Sequence, residues 1–290
     1  MSRERGDLCA HIGLCRMRIS LFSSLSAATS FIIARSGPGP EMFPLMLGVF
    51  LLACGSSALN QYQERSIDAL MPRTRTRPIP SGRISPRGAL YFSLALISSG
   101  TLTLLLTGSV FAPLLGLAGV MWYNGLYTAM KRKTAFAAVP GALVGTITPA
   151  IGWVAGNGSL SDPRLLSLCF FFFMWQVPHF WLLLLDHGKD YEKAGLPSLT
   201  GIFAKTQLLR IIFIWIFATA VSCLFISVTG MIRTPAVNYL LFGASLWLIW
   251  SGLTLLRRQA GACLAFFTFR RINIYMLFVM ALLSIDKLIV

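Results

Sequence analysis

Long apolar stretches separated by mostly short polar connections run through the whole chain. Nine of these stretches come close to or exceed the roughly 20 apolar residues that a helix needs to cross a bilayer. The pattern predicts an all-α polytopic membrane protein, a bundle of about nine transmembrane helices. The predicted spans are residues 17–35, 42–60, 88–107, 109–129, 135–156, 165–186, 207–231, 236–256 and 271–289. Two connections, 61–87 and 187–206, are much longer than the others, and such loops are usually functional.

Composition agrees with a membrane protein. Hydrophobic residues make up 56% of the 290 residues and charged residues only 12%, about half the charged share of an average soluble domain. We expect one intramembrane domain, residues 17–290, after a polar and basic cytoplasmic N-terminal tail, residues 1–16. The six cysteines form no CxxC pair, which argues against a zinc site or a disulfide framework.

The positions of the charges orient the chain. A net charge of +15 would suggest a nucleic-acid partner in a soluble protein, but no basic stretch here is long enough to form a separate domain. Instead, 21 of the 25 Lys and Arg lie in stretches on one side of the predicted bundle, namely 1–18, 61–87, 130–134, 187–210 and 257–271. Basic residues accumulate in cytoplasmic loops. We therefore predict a multi-pass protein of the cell inner membrane with a cytoplasmic N-terminus, whose basic side attracts anionic membrane lipid and phosphate-bearing ligands.

Asn60 ends the second predicted span, and Glu64 and Asp68 follow at the start of the first long connection. Their i, i+4, i+8 spacing places them on one face of a helix that continues out of the second span. Three oxygen-bearing side chains at one place suit a hard cation such as Mg²⁺. The alternative is an ordinary solvated helix end, where acidic residues are common.

A second acidic pair, Asp186 and Asp190, lies at the end of the sixth span on the same predicted side. Acidic residues near a helix C-terminus are disfavoured by the helix dipole, so a compensating cation is expected. Two acidic pairs on one membrane face would bracket a diphosphate through two metal ions.

Basic residues accompany both acidic groups. Arg73, Arg77 and Lys131 are the ones that we expect to contact a ligand, and Lys189 lies inside the second acidic pair. Cations combined with metal-bound carboxylates stabilise a phosphate leaving group. The positive-inside bias explains most of the other basic residues without a ligand.

His179 is the polar exception inside the sixth span. It precedes Asp186 by seven residues and so shares its helix face, about 10 Å deeper in the membrane. An ionisable residue in a span is by default a candidate for function. The alternative is a histidine that packs helices through a hydrogen bond.

The stretch from residue 60 to residue 77 resembles the defining motif of the UbiA-type intramembrane prenyltransferases. The matching positions are Asn60, Glu64, Asp68, Met71, Arg73, Thr74 and Arg77. The resemblance implies a nine-helix bundle, a Mg²⁺-bound isoprenoid diphosphate, and prenyl transfer to a hydrophobic acceptor.

Within that superfamily the chain is most similar to the haem O synthase family, the protohaem IX farnesyltransferases. Further resemblance comes from the stretches 127–134, 148–153, 178–181, 189–197 and 269–286. It implies farnesyl transfer from farnesyl diphosphate to a vinyl group of haem B, with haem B as substrate rather than cofactor. It also points to haem A synthase or a terminal oxidase as partners.

The resemblance suggests a role for each candidate residue. The implied catalytic residues are Asn60, Asp68, Arg73 and His179, of which His179 would orient haem. The implied Mg²⁺ ligands are Asn60, Glu64, Asp68 and Asp190. The implied substrate contacts are Arg77, Lys131, Lys189 and Asp186. The chain departs from the family, which usually has Asp at the positions of Glu64 and Ser66 and often an apolar residue at Asp186. Glu64 keeps a hard oxygen ligand, whereas the missing acid at Ser66 would weaken metal binding. The departure at Asp186 keeps open a quinone precursor such as 4-hydroxybenzoate as the acceptor. A membrane transporter is a further alternative, against which the position of the acids at helix ends on one side argues.

Overall fold

The computed structural model describes residues 2–256 and 262–289, without the side chains of residues 2–8, 186, 187, 189, 262 and 263. Every regular element in the described part of the chain is helical, as the hydrophobic pattern predicts. The α-helices are α1 Ser2–Cys15, α2 Met17–Arg35, α3 Met42–Gln63, α4 Arg65–Leu70, α5 Pro86–Leu105, α6 Phe111–Val120, α7 Thr128–Met130, α8 Ala138–Gly141, α9 Val144–Ala155, α10 Pro163–Lys193, α11 Leu199–Ile202, α12 Lys205–Val228, α13 Pro235–Leu253 and α14 Ala262–Ile289.

Eight helical segments among the described residues are long and apolar enough to cross a membrane. They are Met17–Arg35, Met42–Gln63, Pro86–Leu105, Ala135–Ala155, Pro163–Leu185, Lys205–Val228, Pro235–Leu256 and Leu264–Ile289. These segments confirm a polytopic helical bundle. The predicted span 109–129 corresponds instead to α6 and α7 joined by a π-helix, Met121–Tyr127. π-helical turns are rare inside helices and often lie at functional sites.

The sixth predicted span continues further than expected. We predicted a loop from residue 187, but α10 runs without interruption to Lys193. The polar residues after position 185 end the apolar pattern but not the helix, because backbone hydrogen bonding does not require apolar side chains. Residues 186–193 therefore belong to the end of a helix rather than to a loop.

Glycines let α3 and α5 pack closely. A Cβ on Gly55 would lie 2.9 Å from the backbone nitrogen of Ile97, and one on Gly100 would lie 2.8 Å from the carbonyl oxygen of Gly48. Small residues at helix contacts allow the close approach on which packing inside a membrane depends. This contact fixes α3, the helix that leads into the acidic motif.

The predicted N-terminal tail contains α1, which packs on the bundle. Leu14 is fully buried in a cluster with Ile79 and Ile84 of the first long connection. Gln61 Nε2 donates a hydrogen bond to the carbonyl oxygen of Leu14 at 2.9 Å. The helix α1 thus covers the connection that follows the acidic motif.

Candidate active site

A cavity of about 910 Å³ opens at the end of the bundle where the two long connections lie. The ends of α3 and α10, the start of α2 and the segment after α7 all contribute to its wall. Its charged lining residues within the described part are Arg16, Arg18, Glu64, Asp68, Arg73, Arg77 and Lys131. Stretches that the charge pattern placed on one side of the membrane therefore converge on one cavity.

Asn60, Glu64 and Asp68 line this cavity together. Their helix is interrupted only at Glu64, between α3 and α4. The spacing survives because Glu64 N donates to Asn60 O at 2.9 Å and Asp68 N donates to Glu64 O at 2.8 Å. All three are buried, with exposed fractions of 3%, 3% and 0%. A solvated helix end, the alternative, is therefore wrong.

Each of the two carboxylates faces a cation from elsewhere in the chain. Lys131 Nζ donates to the two Glu64 oxygens at 3.0 and 3.2 Å, and Arg77 Nη1 donates to Asp68 Oδ2 at 2.6 Å. Burial alone would lower the pKa of Lys131, but Glu64, together with Tyr191 and Tyr127, raises that pKa above its ordinary value. Lys131 therefore keeps its positive charge at neutral pH.

The other oxygen of Asp68 has no hydrogen-bond partner although it is buried. A buried carboxylate oxygen without a donor is costly unless a cation satisfies it. Asn60, Glu64 and Asp68 together present oxygen donors, which are the ligands that Mg²⁺ prefers. This part of the cavity fits a hard divalent cation.

A polar network between α3 and the π-helix holds this side of the site. Ser56 Oγ donates to Asn124 Oδ1 at 2.6 Å, and Gln63 Nε2 donates to the Asn124 carbonyl oxygen at 3.0 Å. Asn60 Nδ2 donates to Thr128 Oγ1 at 3.1 Å. Sequence reasoning missed this network. Its one signal was Asn124, a polar residue in the middle of an apolar stretch.

His179 lines the cavity from α10, among aromatic rings. Its ring centroid lies 4.9 Å from that of Trp175 and 4.8 Å from that of Phe269. Phe22 of α2 stacks on Trp175 at 5.3 Å. These residues, Phe22, Trp175, His179 and Phe269, form a largely apolar wall of stacked and tilted rings, which we call the aromatic wall, and His179 is its polar group.

The second acidic pair is not assembled with the first among the described residues. Asp190 is not among the residues that line the cavity, whereas its neighbour Tyr191 lines it and holds its ring 5.2 Å from Lys131 Nζ. The side chains of Asp186 and Lys189 lie outside the described residues. No group of three or more His, Cys, Asp or Glu in the described part could hold a metal.

Other lining residues have no counterpart in the predicted site. Arg16 and Arg18 enter from the start of α2, and Tyr127, Gln176 and Asn273 enter from three further segments. The two arginines looked like ordinary positive-inside residues in the sequence. The other three lie within apolar stretches, where a polar group gives no sign of which cavity it faces.

Comparison with known proteins identifies the chain's relatives. The model of the UbiA prenyltransferase family matches residues 21–278. A protoheme IX farnesyltransferase of Oleidesulfovibrio alaskensis is 35% identical over 283 residues, which cover 97% of this chain and 98% of that protein. A protoheme IX farnesyltransferase of Geobacter sulfurreducens is 38% identical over 218 residues, 75% of this chain and 80% of the relative.

Solved structures share the fold. A structure of a digeranylgeranylglyceryl phosphate synthase superposes with a TM-score of 0.78 at 16% identity, over 98% of this chain and 99% of that one. A UbiA homologue from Archaeoglobus fulgidus bound to GPP and Mg²⁺ gives 0.65 at 15% identity, over 95% and 99%. Together with the family match, these relatives show that the chain is a membrane prenyltransferase and not a transporter. It belongs to the UbiA prenyltransferase family, beside the protoheme IX farnesyltransferases.

Proposed function

We propose that this enzyme transfers a farnesyl group from farnesyl diphosphate to a vinyl group of haem B and so makes haem O. The observation that supports it best is a single cavity with two different parts. One part is the aromatic wall around His179. The other, which we call the mouth, is lined by the charged and polar residues Asn60, Glu64, Asp68, Arg73, Arg77 and Lys131. The mouth suits a diphosphate and the aromatic wall a flat apolar acceptor. The relatives named protoheme IX farnesyltransferase point to the same donor and acceptor.

The diphosphate would bind at the mouth. Asn60, Glu64 and Asp68 would hold Mg²⁺, which neutralises charge on the leaving group. Arg73 and Arg77 would donate hydrogen bonds to the diphosphate oxygens, with Lys131 beside Glu64. Asp190 as a further metal ligand, and Asp186 and Lys189 as substrate contacts, remain predictions.

The chemistry then proceeds at the allylic carbon. The C1–O bond of farnesyl diphosphate breaks, and the diphosphate leaves with the electron pair. The π electrons of the haem vinyl group form the new C–C bond to C1. Water captures the cation left on the other vinyl carbon and loses a proton, which gives a hydroxyl group. The apolar wall excludes water until that bond has formed and so protects the allylic cation.

His179 would orient the acceptor. It is the polar group of the aromatic wall, and it lies between Trp175 and Phe269, whose faces suit a macrocycle. A neutral imidazole is a common ligand of haem iron. We propose that His179 positions haem B, through the iron, with one vinyl group towards the mouth.

The cellular setting follows from the same proposal. Eight apolar helical segments and the family place the chain in a membrane. The charge distribution supports the cell inner membrane with a cytoplasmic N-terminus, where the mouth would meet farnesyl diphosphate and anionic lipid. Haem A synthase or a terminal oxidase would receive the product.

The test uses purified protein with Mg²⁺ and farnesyl diphosphate. Addition of haem B should release diphosphate and give haem O, identified by its mass. Release with 4-hydroxybenzoate but not with haem B would overturn the proposal in favour of a quinone-type acceptor. The Asp68→Ala variant should insert into the membrane but release no diphosphate.

A further inference from the structure

Three guanidinium groups in the cavity have no carboxylate partner. Arg77 and Lys131 are paired with Asp68 and Glu64. Arg16, Arg18 and Arg73 also line the cavity, and the structure records no side-chain hydrogen bond or ion pair between any of them and another described residue. Arg16 is half-buried, and a half-buried cation is usually paired, whereas Arg18 and Arg73 are exposed and solvated. All three guanidinium groups are therefore available to anions of a ligand in this cavity.

Arg16 is held at the mouth by the backbone. It lies between α1 and α2 with φ of 45° and ψ of 53°, a left-handed conformation that is uncommon for a residue other than glycine. The backbone nitrogens of Ile19 and Ser20 donate to its carbonyl oxygen at 2.9 and 3.3 Å. Arg77, the partner of Asp68, lines the same cavity as Arg16. Arg77 thus has a carboxylate partner in this cavity, whereas Arg16 has none among the described residues.

Arg18 connects the mouth to the aromatic wall. It precedes Phe22 by four residues, so the two share a face of α2. Phe22 stacks on Trp175, and Trp175 contacts His179. Arg18 therefore lies one helical turn from the surface proposed for the macrocycle, on the side of the mouth.

The negative charges of the proposed substrates match the excess of basic residues in the cavity. The described lining residues carry five basic side chains and two carboxylates. A prenyl diphosphate with three negative charges and one Mg²⁺ leave about two positive charges uncompensated. Haem B carries two propionate carboxylates. An apolar acceptor without carboxylates would leave those charges unmatched inside the cavity.

We propose that Arg16 and Arg18 bind the propionate carboxylates of the porphyrin acceptor. This inference rests on the proposed function, and it adds where the acceptor is recognised and why a dicarboxylate is preferred. Arg guanidinium groups form bidentate hydrogen bonds with carboxylates. Arg73 then remains available for the diphosphate.

The test compares haem B with its dimethyl ester, in which both propionates are neutral. Binding to protein in nanodiscs is followed by quenching of tryptophan fluorescence, and farnesyl diphosphate binding is measured in parallel. The variants are Arg18→Gln, Arg18→Lys and Arg16→Asn, since Asn tolerates the left-handed conformation. The matched control is Arg75→Gln, an exposed arginine of the same side that does not line the cavity.

Arg16→Asn and Arg18→Gln should each weaken haem B binding about tenfold, the size expected for one charge-assisted hydrogen bond. Neither should change binding of the dimethyl ester or of farnesyl diphosphate more than about twofold, and Arg18→Lys should lie between Arg18→Gln and the unchanged protein. Arg75→Gln should bind all three ligands like the unchanged protein.

Several results would overturn the inference. Equal weakening of haem B and its ester would show that the arginines do not recognise carboxylates. A larger loss for farnesyl diphosphate would assign them to the diphosphate. A loss seen only in nanodiscs that contain phosphatidylglycerol would assign them to lipid headgroups. If the unchanged enzyme makes haem O and the variants bind haem B as tightly as it does, this inference alone is wrong. If the unchanged protein binds no haem B, the proposed function is wrong.

Discussion

His179 Nδ1 lies 2.8 Å from Asn273 Oδ1, although the two residues are 94 positions apart. Asn273 Nδ2 donates in turn to the carbonyl oxygen of Phe269 at 2.8 Å. This second bond fixes the amide with its oxygen towards the imidazole. His179 must then donate from Nδ1, which leaves the lone pair of Nε2 available. Asn273 thus sets the tautomer that a metal ligand requires.

We predict that Asn273→Leu impairs haem binding without affecting the diphosphate side. Loss of the group that orients a metal-ligating histidine typically costs about 10- to 100-fold in affinity or activity. The Soret band of bound haem B should shift towards that of the His179→Ala variant, and imidazole should restore part of the signal in His179→Ala. The control is Asn273→Asp, which keeps the acceptor for Nδ1. An Asn273→Leu protein with the Soret band of the unchanged protein would contradict the assignment.

The unpartnered oxygen of Asp68 gives a second prediction. Asp68→Asn keeps the shape of the side chain but removes the charge that Arg77 and the metal share. We expect activity to fall by at least about 100-fold, since removal of one preorganised charge from an active site has effects of this order. Titration with Mg²⁺ should show a higher requirement, while haem B binding stays unchanged.

The matched control for Asp68→Asn is Glu41→Gln, because the Glu41–Arg35 pair lies outside the cavity and is partly exposed, and solvated pairs contribute little. An Asp68→Asn enzyme with an unaltered Mg²⁺ requirement would refute the metal assignment.

The Glu64–Lys131 pair predicts a non-additive stability effect. The exposed fractions of these side chains are only 4% and 16%. Removal of one partner from a buried pair typically costs about 3–5 kcal/mol, whereas removal of both costs far less. Lys131→Met should therefore lower the midpoint of thermal unfolding more than the double variant Glu64→Gln with Lys131→Met. The single variant Glu64→Gln completes the comparison. If the shifts in midpoint of the two single variants add up to the shift of the double variant, the two groups do not interact in solution.

The sequence anticipated the parts of the site that depend on local geometry. Asn60, Glu64 and Asp68 share a face because helical spacing alone places them there. The partners of those carboxylates depend on tertiary structure, since Lys131 is 67 positions from Glu64. The role of Lys131 was therefore suggested by charge and family, not by spacing.

Other features left no local trace. Asn273 lies in an apolar span, and nothing in the pattern connects it to His179. In the sequence, Arg16 and Arg18 could not be told apart from the basic residues that orient a membrane protein. Both the positive-inside bias and a site for an anionic ligand favour arginine. The end of the sixth helix was misplaced because polarity marks where a membrane ends, not where a helix does.

Gly141 controls the position of Tyr127, and this gives the last prediction. A Cβ at residue 141 would lie 2.5 Å from Tyr127 Cδ2, so the ring would have to move. Tyr127 lines the cavity and stacks on Phe180 with ring centroids 6.3 Å apart. Gly141→Ala should lower kcat/KM for farnesyl diphosphate about tenfold, because small displacements of groups around a bound substrate cost that much or more.

The matched control for Gly141→Ala lies in the π-helix. A Cβ at Gly125 would meet nothing within 4 Å, so Gly125→Ala should stay within about twofold of the unchanged enzyme. Addition of Tyr127→Leu to Gly141→Ala removes the clash, and the double variant should recover activity relative to Gly141→Ala if ring displacement is the cause. Gly141→Ala activity within about twofold of the unchanged enzyme would contradict the prediction, because the Tyr127 ring would then move at no cost to substrate binding.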